Sequence, residues 1–226
     1  MKTMTLICAL AAGSLLAAGA AEVACPAGVN PRGHENIEWS TGYAFHLADA
    51  QKALPRVLLV GDSICNGYQA GVQRRLEGKV NVSYWISSYC VTSPGYLKLL
   101  DFYLSEATYD VVHFNNGLHS LATKPEDWEK GLKAALDLIR ARQPQAKIVW
   151  VSSTPLKDPK LTAKAKTLNE IGARVAQAYT SRVDDLFALL DPLDRDANWI
   201  DMGHHQGAVR EKEADQVAAS VLAALQ

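Results

Sequence analysis

A serine follows a short apolar run near the start of the chain. Residues 57–60 are all Val or Leu, and they lead into Gly61-Asp62-Ser63. A run of this kind predicts a buried parallel strand, and such a strand presents chemistry at its carboxyl end. Ser63 is therefore our candidate nucleophile. Its alternative role is to cap a following helix, which we predict at residues 68–76 after a turn at Asn66-Gly67.

A serine hydroxyl needs a base that takes its proton and an acid that orients the base. Asp201-Met202-Gly203-His204 lies near the other end of the chain. A separation of three residues on a turn allows the Asp201 carboxylate to reach Nδ1 of His204, which leaves Nε2 free to face Ser63. The alternatives are that His205 is the base and that Asp201 caps the last helix.

The elements that would position these residues alternate along the chain. Apolar runs predict strands at residues 57–60, 80–86, 111–114 and 148–151, with a weaker fifth at 183–186. Helical spacing predicts a helix at 161–179 and a last helix that buries Val217, Val221, Leu222 and Leu225. Strands that alternate with helices predict an α/β fold with a parallel sheet covered on both faces. The serine and the late Asp-x-x-His segment then share the carboxyl edge of that sheet.

Two further predictions concern local structure. Thr123-Lys124-Pro125-Glu126 matches a capping box, with Thr123 as the N-cap and Glu126 as N3 of a helix. Residues 25–54 are irregular except for a short amphipathic piece at 43–54. We expect this segment to pack across the sheet or the mouth of the site.

The chain begins with a segment typical of export. Lys2 precedes a nearly apolar stretch at residues 4–16, and Ala18-Gly19-Ala20 has the small residues of a cleavage site. The apolar stretch is too short for a membrane span. We therefore predict a signal peptide at residues 1–21, a single domain at residues 22–226, and a secreted or periplasmic location.

Charge and cysteine content narrow the classes of partner. The chain has 23 Lys and Arg against 24 Asp and Glu, scattered along its length, which argues against nucleic acid or a membrane surface as a partner.

The cysteines allow a disulfide but indicate no metal site. An oxidising compartment permits a disulfide, and Cys65 with Cys90 is our candidate pair, the alternative being free thiols. No spacing of Cys or His indicates a metal site, and we expect no metal or cofactor.

Gly61-Asp62-Ser63 and Asp201-x-x-His204 resemble the first and last blocks of the SGNH (GDSL-type) hydrolases. The order of Ser first, then Asp and His together, is also that family's order. The G-x-S-x-G elbow of α/β-hydrolases is absent, because Cys65 follows where its second Gly would stand. The resemblance implies a flavodoxin-like, three-layer α/β fold with about five parallel strands. It also implies a serine esterase whose catalytic triad is Ser63, His204 and Asp201.

The middle blocks depart from the family pattern. Gly117-Leu118-His119-Ser120 stands where the family has Gly-x-Asn-Asp, and it is similar to a bacterial branch with Gly-Leu-His after its third strand. The resemblance implies that the His119 side chain donates to the oxyanion in place of Asn, beside the N–H groups of Ser63 and Cys90. A core role is the alternative for His119. Asn115 either holds the turn or fixes the Ser63 loop.

These residues predict a secreted serine esterase that removes short acyl groups, such as acetyl, from carbohydrate. One alternative is a lipase or lysophospholipase type of esterase that acts on longer acyl chains. The other is a non-catalytic glycan-binding protein on the same fold. The set Ser63, Asp201 and His204 favours an enzyme, since a binding module has no physical need of it. The expected partner is a small-molecule or glycan ester.

Overall fold

A single mixed sheet organises the chain. The computed structural model describes residues 38–45, 53–180 and 182–226. Its strands are β1 Ser40–Tyr43, β2 Arg56–Gly61, β3 Asn81–Ser87, β4 Val111–Phe114, β5 Lys147–Val151 and β6 Val183–Asp184. They lie in the order β1-β3-β2-β4-β5-β6, and every neighbouring pair is parallel except β1 on β3.

Helices cover both faces of this sheet. They are α1 Ser63–Leu76, α2 Tyr96–Ser105, α3 Pro125–Arg142, α4 Pro159–Ala176, α5 Leu186–Leu190, α6 Arg195–Asn198 and α7 Gly207–Leu225, with a 3-10 turn at Leu118–Ser120. Successive residues of a strand point to opposite faces. Val57 and Leu59 accordingly pack with α1 and α7, whereas Leu58 and Val60 pack with α2, α3 and α4.

The α/β class and the three-layer arrangement predicted from the sequence are confirmed. All five predicted strands are present, and α7 buries Val217 and Val221 with Leu222 and Leu225 packed at its margin. The sheet has one strand more than predicted, because β1 adds an antiparallel edge to β3. No helix in the described part of the chain is long and apolar enough to cross a membrane.

Two predicted helix starts are wrong. The helix expected at residues 68–76 begins at Ser63, so Asn66-Gly67 lies inside α1 and does not form a turn. The capping box at Thr123 is also absent, because α3 begins at Pro125 with Lys124 as an N-cap that makes no side-chain bond. Proline suits the first helical position, where its missing N–H costs nothing, and it moves the start by one residue.

The predicted signal peptide and most of the irregular segment before β2 lie outside the described residues. The described part of that segment includes residues 38–45, in which β1 pairs with β3 from Ser40 to Tyr43. Trp39 extends this contact, since its N–H donates to Ser88 Oγ at 2.9 Å.

Candidate active site

Ser63 lies where the central strand β2 turns into α1. Asp62 is the N-cap of α1, and its Oδ1 accepts a hydrogen bond from the N–H of Ile64 at 2.9 Å. Ser63 is therefore the first helical residue, and its hydroxyl is not needed for capping. The turn also requires glycine at position 61, where an added Cβ would lie 2.6 Å from Cβ of Cys65. The strand, the glycine and the cap together present Ser63 at the carboxyl edge of the sheet.

Asp201 and His204 contact each other on the loop before α7. His204 Nδ1 lies 2.8 Å from Oδ2 of Asp201, and Oδ1 of Asp201 accepts hydrogen bonds from the N–H groups of Gly203 at 3.0 Å and His204 at 2.8 Å. The His204 N–H, its imidazole and the Gly203 N–H lower the pKa of Asp201 to about 2. Asp201 does not cap α7, whose N-cap is Gln206.

The loop that carries this pair is closed like a small hairpin. Trp199 and His205 form an antiparallel bridge, and the N–H of Ile200 donates to the carbonyl of His204 at 2.8 Å. The indole of Trp199 donates to the carbonyl of Pro155 at 3.1 Å. His204 is 45% exposed at the loop surface. Between described residues, no hydrogen bond joins His204 to Ser63.

His205, the alternative base, occupies a different environment. Its side chain is buried, and its Nδ1 faces Glu213 of α7 at 3.0 Å. Asp201 therefore pairs with His204 alone, as the spacing of three residues predicts. An imidazole enclosed under the loop is poorly placed to take a proton from a serine at the surface.

The loop after β3 is attached to the end of β4 through Asn116. Oδ1 of Asn116 accepts hydrogen bonds from the N–H of Val91 at 3.1 Å and the hydroxyl of Ser120 at 2.9 Å. Its Nδ2 donates to the carbonyl of Tyr89 at 2.9 Å. Asn116 thus holds the residues on both sides of Cys90. In the described part of the chain, the Cys90 N–H donates no hydrogen bond.

Cys90, in the loop after β3, contacts the 3-10 turn and the residues after it. The Cys90 thiol lies 3.1 Å from the hydroxyl of Ser120 and 3.3 Å from that of Thr123. His119 precedes Ser120 on the 3-10 turn. Its side chain is partly exposed, which argues against a core role. The loop after β3 is thus joined to the 3-10 turn through side chains as well as through Asn116.

Of the two alternatives for Cys65 and Cys90, a disulfide or free thiols, the structure has free thiols, and both are buried. Cys65 packs with α7 beneath the sheet, whereas Cys90 is turned toward Ser120 and Thr123. Burial raises the pKa of the Cys65 thiol to about 12. The described residues contain no group of three or more His, Cys, Asp or Glu side chains that could hold a metal ion.

Asn115 fixes a neighbouring loop and not the Ser63 loop. Its Nδ2 donates to the carbonyl of Val151 at 2.8 Å and to Oγ of Ser153 at 3.2 Å. Ser153 is held from the other side by Asn169, which accepts from its N–H at 2.7 Å and donates to its carbonyl at 2.8 Å. An added Cβ on Gly117 would overlap the Ser153 side chain, so this position requires glycine.

Two cavities differ in their relation to the site. One of about 310 Å³ adjoins the 3-10 turn, with polar and apolar lining from Ser120, Leu121, Ala122, Thr123, Lys124, Pro125, Lys164, Thr167 and Leu168. The other, of about 620 Å³, lies at the far end of α1 near Arg74 and Glu77. Eleven residues of helix separate Arg74 from Ser63, a rise of about 16 Å, so the larger cavity lies away from the candidate site. A third cavity, of about 10 Å³, lies next to Ser63, with Gly61, Asp62 and Ile64 in its lining.

Sequence reasoning did not identify two residues that organise the site, namely Asn169 and Glu213. For Asn169, as for the contacts of Asn116 with the loop after β3, there is no local signal, because the partners lie 16 to 27 residues away. Glu213 does carry one, since it stands in the stripe Val209, Glu213, Val217 and Val221 at a spacing of four. A charged residue in the apolar stripe of a helix indicates a buried partner.

The chain has an α/β fold with a mostly parallel six-stranded sheet, and solved structures share that fold. A carbohydrate esterase family 3 protein from Talaromyces cellulolyticus aligns with a TM-score of 0.64 at 15% identity, over 76% of this chain and 98% of that chain. A lipase/acylhydrolase from Enterococcus faecalis aligns with a TM-score of 0.63 at 14% identity, over 76% and 98%.

A protein from Slackia heliotrinireducens, provisionally described as an SGNH hydrolase, aligns with a TM-score of 0.59 at 17% identity, over 74% of this chain and 99% of that chain. No family model matches the sequence, and no curated protein matches it. The sequence-based resemblance is therefore confirmed at the level of the fold, by structures of low sequence identity.

Proposed function

We propose that this chain is a serine esterase of the SGNH type. The observation that carries the proposal is the Asp201–His204 pair on a closed loop, at the same sheet edge as Ser63. Asp201 accepts three hydrogen bonds and is ionised, so it holds Nδ1 of His204 and turns Nε2 away from itself. This is the arrangement that a nucleophilic serine requires.

In the proposed reaction, Nε2 of His204 takes the proton of the Ser63 hydroxyl as Oγ attacks the ester carbonyl. The tetrahedral oxyanion is stabilised by the N–H groups of Ser63 and Cys90 and by the side chain of His119. His204 then gives its proton to the departing alcohol, which leaves an acyl-enzyme. Water attacks this acyl group with His204 as base, and Ser63 is released.

The proposed substrate is a short acyl ester of carbohydrate. The cavity of about 310 Å³ beside the 3-10 turn has threonine hydroxyls and lysine amines next to apolar side chains, a lining suited to a polar alcohol such as a sugar. One of the structures with this fold is a carbohydrate esterase family 3 protein. The exported location predicted from residues 1–21 belongs to the same proposal, because extracellular glycans are then within reach.

The test compares hydrolysis of p-nitrophenyl acetate and p-nitrophenyl octanoate by residues 22–226 and by variants. We expect acetate turnover that Ser63→Ala and His204→Asn abolish, with little octanoate turnover. Ser105→Ala is the matched control, because Ser105 lies at the exposed end of α2 and, among the described residues, its hydroxyl donates only to the Phe102 carbonyl.

Faster turnover of octanoate than of acetate would contradict the short-acyl proposal and favour the lipase alternative. Equal rates for the parent chain and Ser63→Ala on both esters would contradict the esterase. Export is tested separately, by expressing the full chain with its N-terminus intact. The expected result is a product in the periplasm or medium that has lost about 21 residues, and retention at full length would contradict it.

A further inference from the structure

A contact between an imidazole and a carboxyl group lies buried directly beneath the exposed catalytic loop. His205 and Glu213 have side-chain exposures of 1% and 0%, and Nδ1 of His205 lies 3.0 Å from Oε1 of Glu213. Removing two ionisable groups from water costs more free energy than packing apolar residues of the same size. Stability alone therefore does not explain why a histidine and a glutamate occupy these buried positions.

The pair ties the loop to helix α7. His205 closes the loop through its bridge to Trp199, and the two rings pack edge to face with centroids 4.7 Å apart. From α7, Glu213 meets the imidazole and the guanidinium of Arg210 donates to the His205 carbonyl at 2.8 Å. The residue after His204 is thus held by side chain and main chain to the same helix.

Helix α7 also holds the element that carries the nucleophile. Ala214, the neighbour of Glu213, packs so closely on α1 that a Cβ added to Gly71 would lie 2.7 Å from its own Cβ. At the surface, Arg75 of α1 pairs with Glu211 at 2.8 Å and with Asp215 at 2.6 Å. Because α1 begins at Ser63, one helix supports both reacting groups.

Ionisable groups on three elements influence the pKa of Glu213. Burial raises the pKa of its carboxyl, His205 and Arg210 oppose that rise, and Asp62 at the start of α1 adds to it. Glu213 thus lies between the loop of the base and the N-cap of the nucleophile helix.

We propose that His205 and Glu213 are positioning residues that hold His204 at a fixed distance from Ser63. Neither touches the substrate. The pair acts through His204, whose main chain it anchors to the same helix that supports α1. This inference rests on the proposed esterase function, which it deepens by naming what keeps the base in place.

The test uses three variants of residues 22–226. Glu213→Met keeps the volume of the side chain and removes the pairing with His205, whereas Glu213→Gln keeps a polar oxygen beside the imidazole. Lys212→Gln is the control on the same helix, because Lys212 is an exposed neighbour of Glu213. Two quantities are measured, namely kcat and KM per folded molecule and amide hydrogen exchange at Ile200 and His204.

For Glu213→Met we expect kcat to fall about 10- to 100-fold with KM within about twofold, since small misplacement of a base has effects of that size. Exchange at Ile200 and His204 should accelerate about tenfold while the amides of β2 are unchanged, because only the loop is released. Glu213→Gln should restore kcat to within about threefold of the parent chain, and Lys212→Gln should match the parent chain.

Two results would overturn the inference. One is a folded Glu213→Met variant with parental kcat and parental loop exchange. The other is exchange that accelerates equally in the loop and in β2, which would indicate general destabilisation. A parent chain with no Ser63-dependent turnover would overturn the proposed function instead, and the exchange measurement would still decide whether the pair holds the loop.

Discussion

Replacement of Asn116 by alanine is expected to lower both stability and activity. The side chain is buried and makes three hydrogen bonds, to the N–H of Val91 at 3.1 Å, the hydroxyl of Ser120 at 2.9 Å and the carbonyl of Tyr89 at 2.9 Å. Alanine removes all three and leaves the buried N–H of Val91 without an acceptor.

The magnitude follows from these contacts. Each ordinary hydrogen bond contributes about 0.5 to 1.5 kcal/mol net, and a buried donor left unpaired costs about 1 to 3 kcal/mol. We therefore expect Asn116→Ala to lower the free energy of unfolding by about 2 to 4 kcal/mol. For a domain of this size, that lowers Tm by about 5 to 15 °C.

Activity should fall because the released loop carries Cys90, whose N–H is a proposed oxyanion donor. Complete loss of one such donor costs about 3 kcal/mol of transition-state stabilisation, roughly 100-fold in kcat. A loop that retains part of its position should lose about 10- to 100-fold.

The assay is p-nitrophenyl acetate hydrolysis, with Tm measured on the same samples. Asn115→Ala is the matched control, because its side chain bonds to Val151 and Ser153 and not to the loop after β3. It should lower Tm and leave kcat within about threefold of the parent. If Asn116→Ala loses no more kcat per folded molecule than Asn115→Ala, the link from Asn116 to the oxyanion site is refuted.

Three further predictions concern other parts of the site. Gly117→Ala should cost about 1 to 3 kcal/mol of stability by overlap with Ser153, and adding Ser153→Ala should restore part of the Tm; an unchanged Tm in the single variant would contradict this. Asp201→Asn should lower kcat about 10²- to 10⁴-fold by releasing His204, yet change stability at pH 7 by less than about 1 kcal/mol, because Asp201 is 54% exposed. Because folding lowers the pKa of Asp201, its ionised carboxylate contributes stability that is complete above the pKa of the unfolded chain and is lost as the pH falls through about 2. The free energies of unfolding of the parent chain and of Asp201→Asn, measured in acid scans, should therefore converge only near that pH. Cys65, buried with a thiol pKa of about 12, should resist Ellman's reagent until the chain is unfolded, and rapid labelling of the native protein would contradict its burial.

The elements that could be predicted are those with a strong local pattern. Strands β2, β4 and β5 are apolar at nearly every position because helices cover both faces. Such runs can be recognised as strands from the local sequence alone. Strand β1 could not be predicted, since all four residues of Ser40–Tyr43 are exposed and become a strand only by pairing with β3. Its residues carry no alternation to mark one face as buried.

Within the site, too, only the contact between residues close in sequence could be predicted. The Asp201–His204 contact spans three residues and follows from spacing alone. The Cys90 contacts depend on where two distant loops meet, so the sequence permitted a disulfide with Cys65 that the fold does not allow. The pairing of His205 with Glu213 joins a loop to the second turn of a helix, and only the charge in the apolar stripe hinted at it.

The short outer strands of the sheet bear on self-association. The sheet ends in β1, with four residues, and β6, with two, whereas the strand under β1 has seven. The unpaired N–H and C=O groups of an edge strand can pair with other chains, and a short edge strand offers few of these groups. Loss of residues 38–43 would uncover the edge of β3 from Tyr84 to Ser87, the residues with which β1 pairs. Proteolytic trimming before β2 is thus a route by which a correctly folded molecule becomes prone to aggregate.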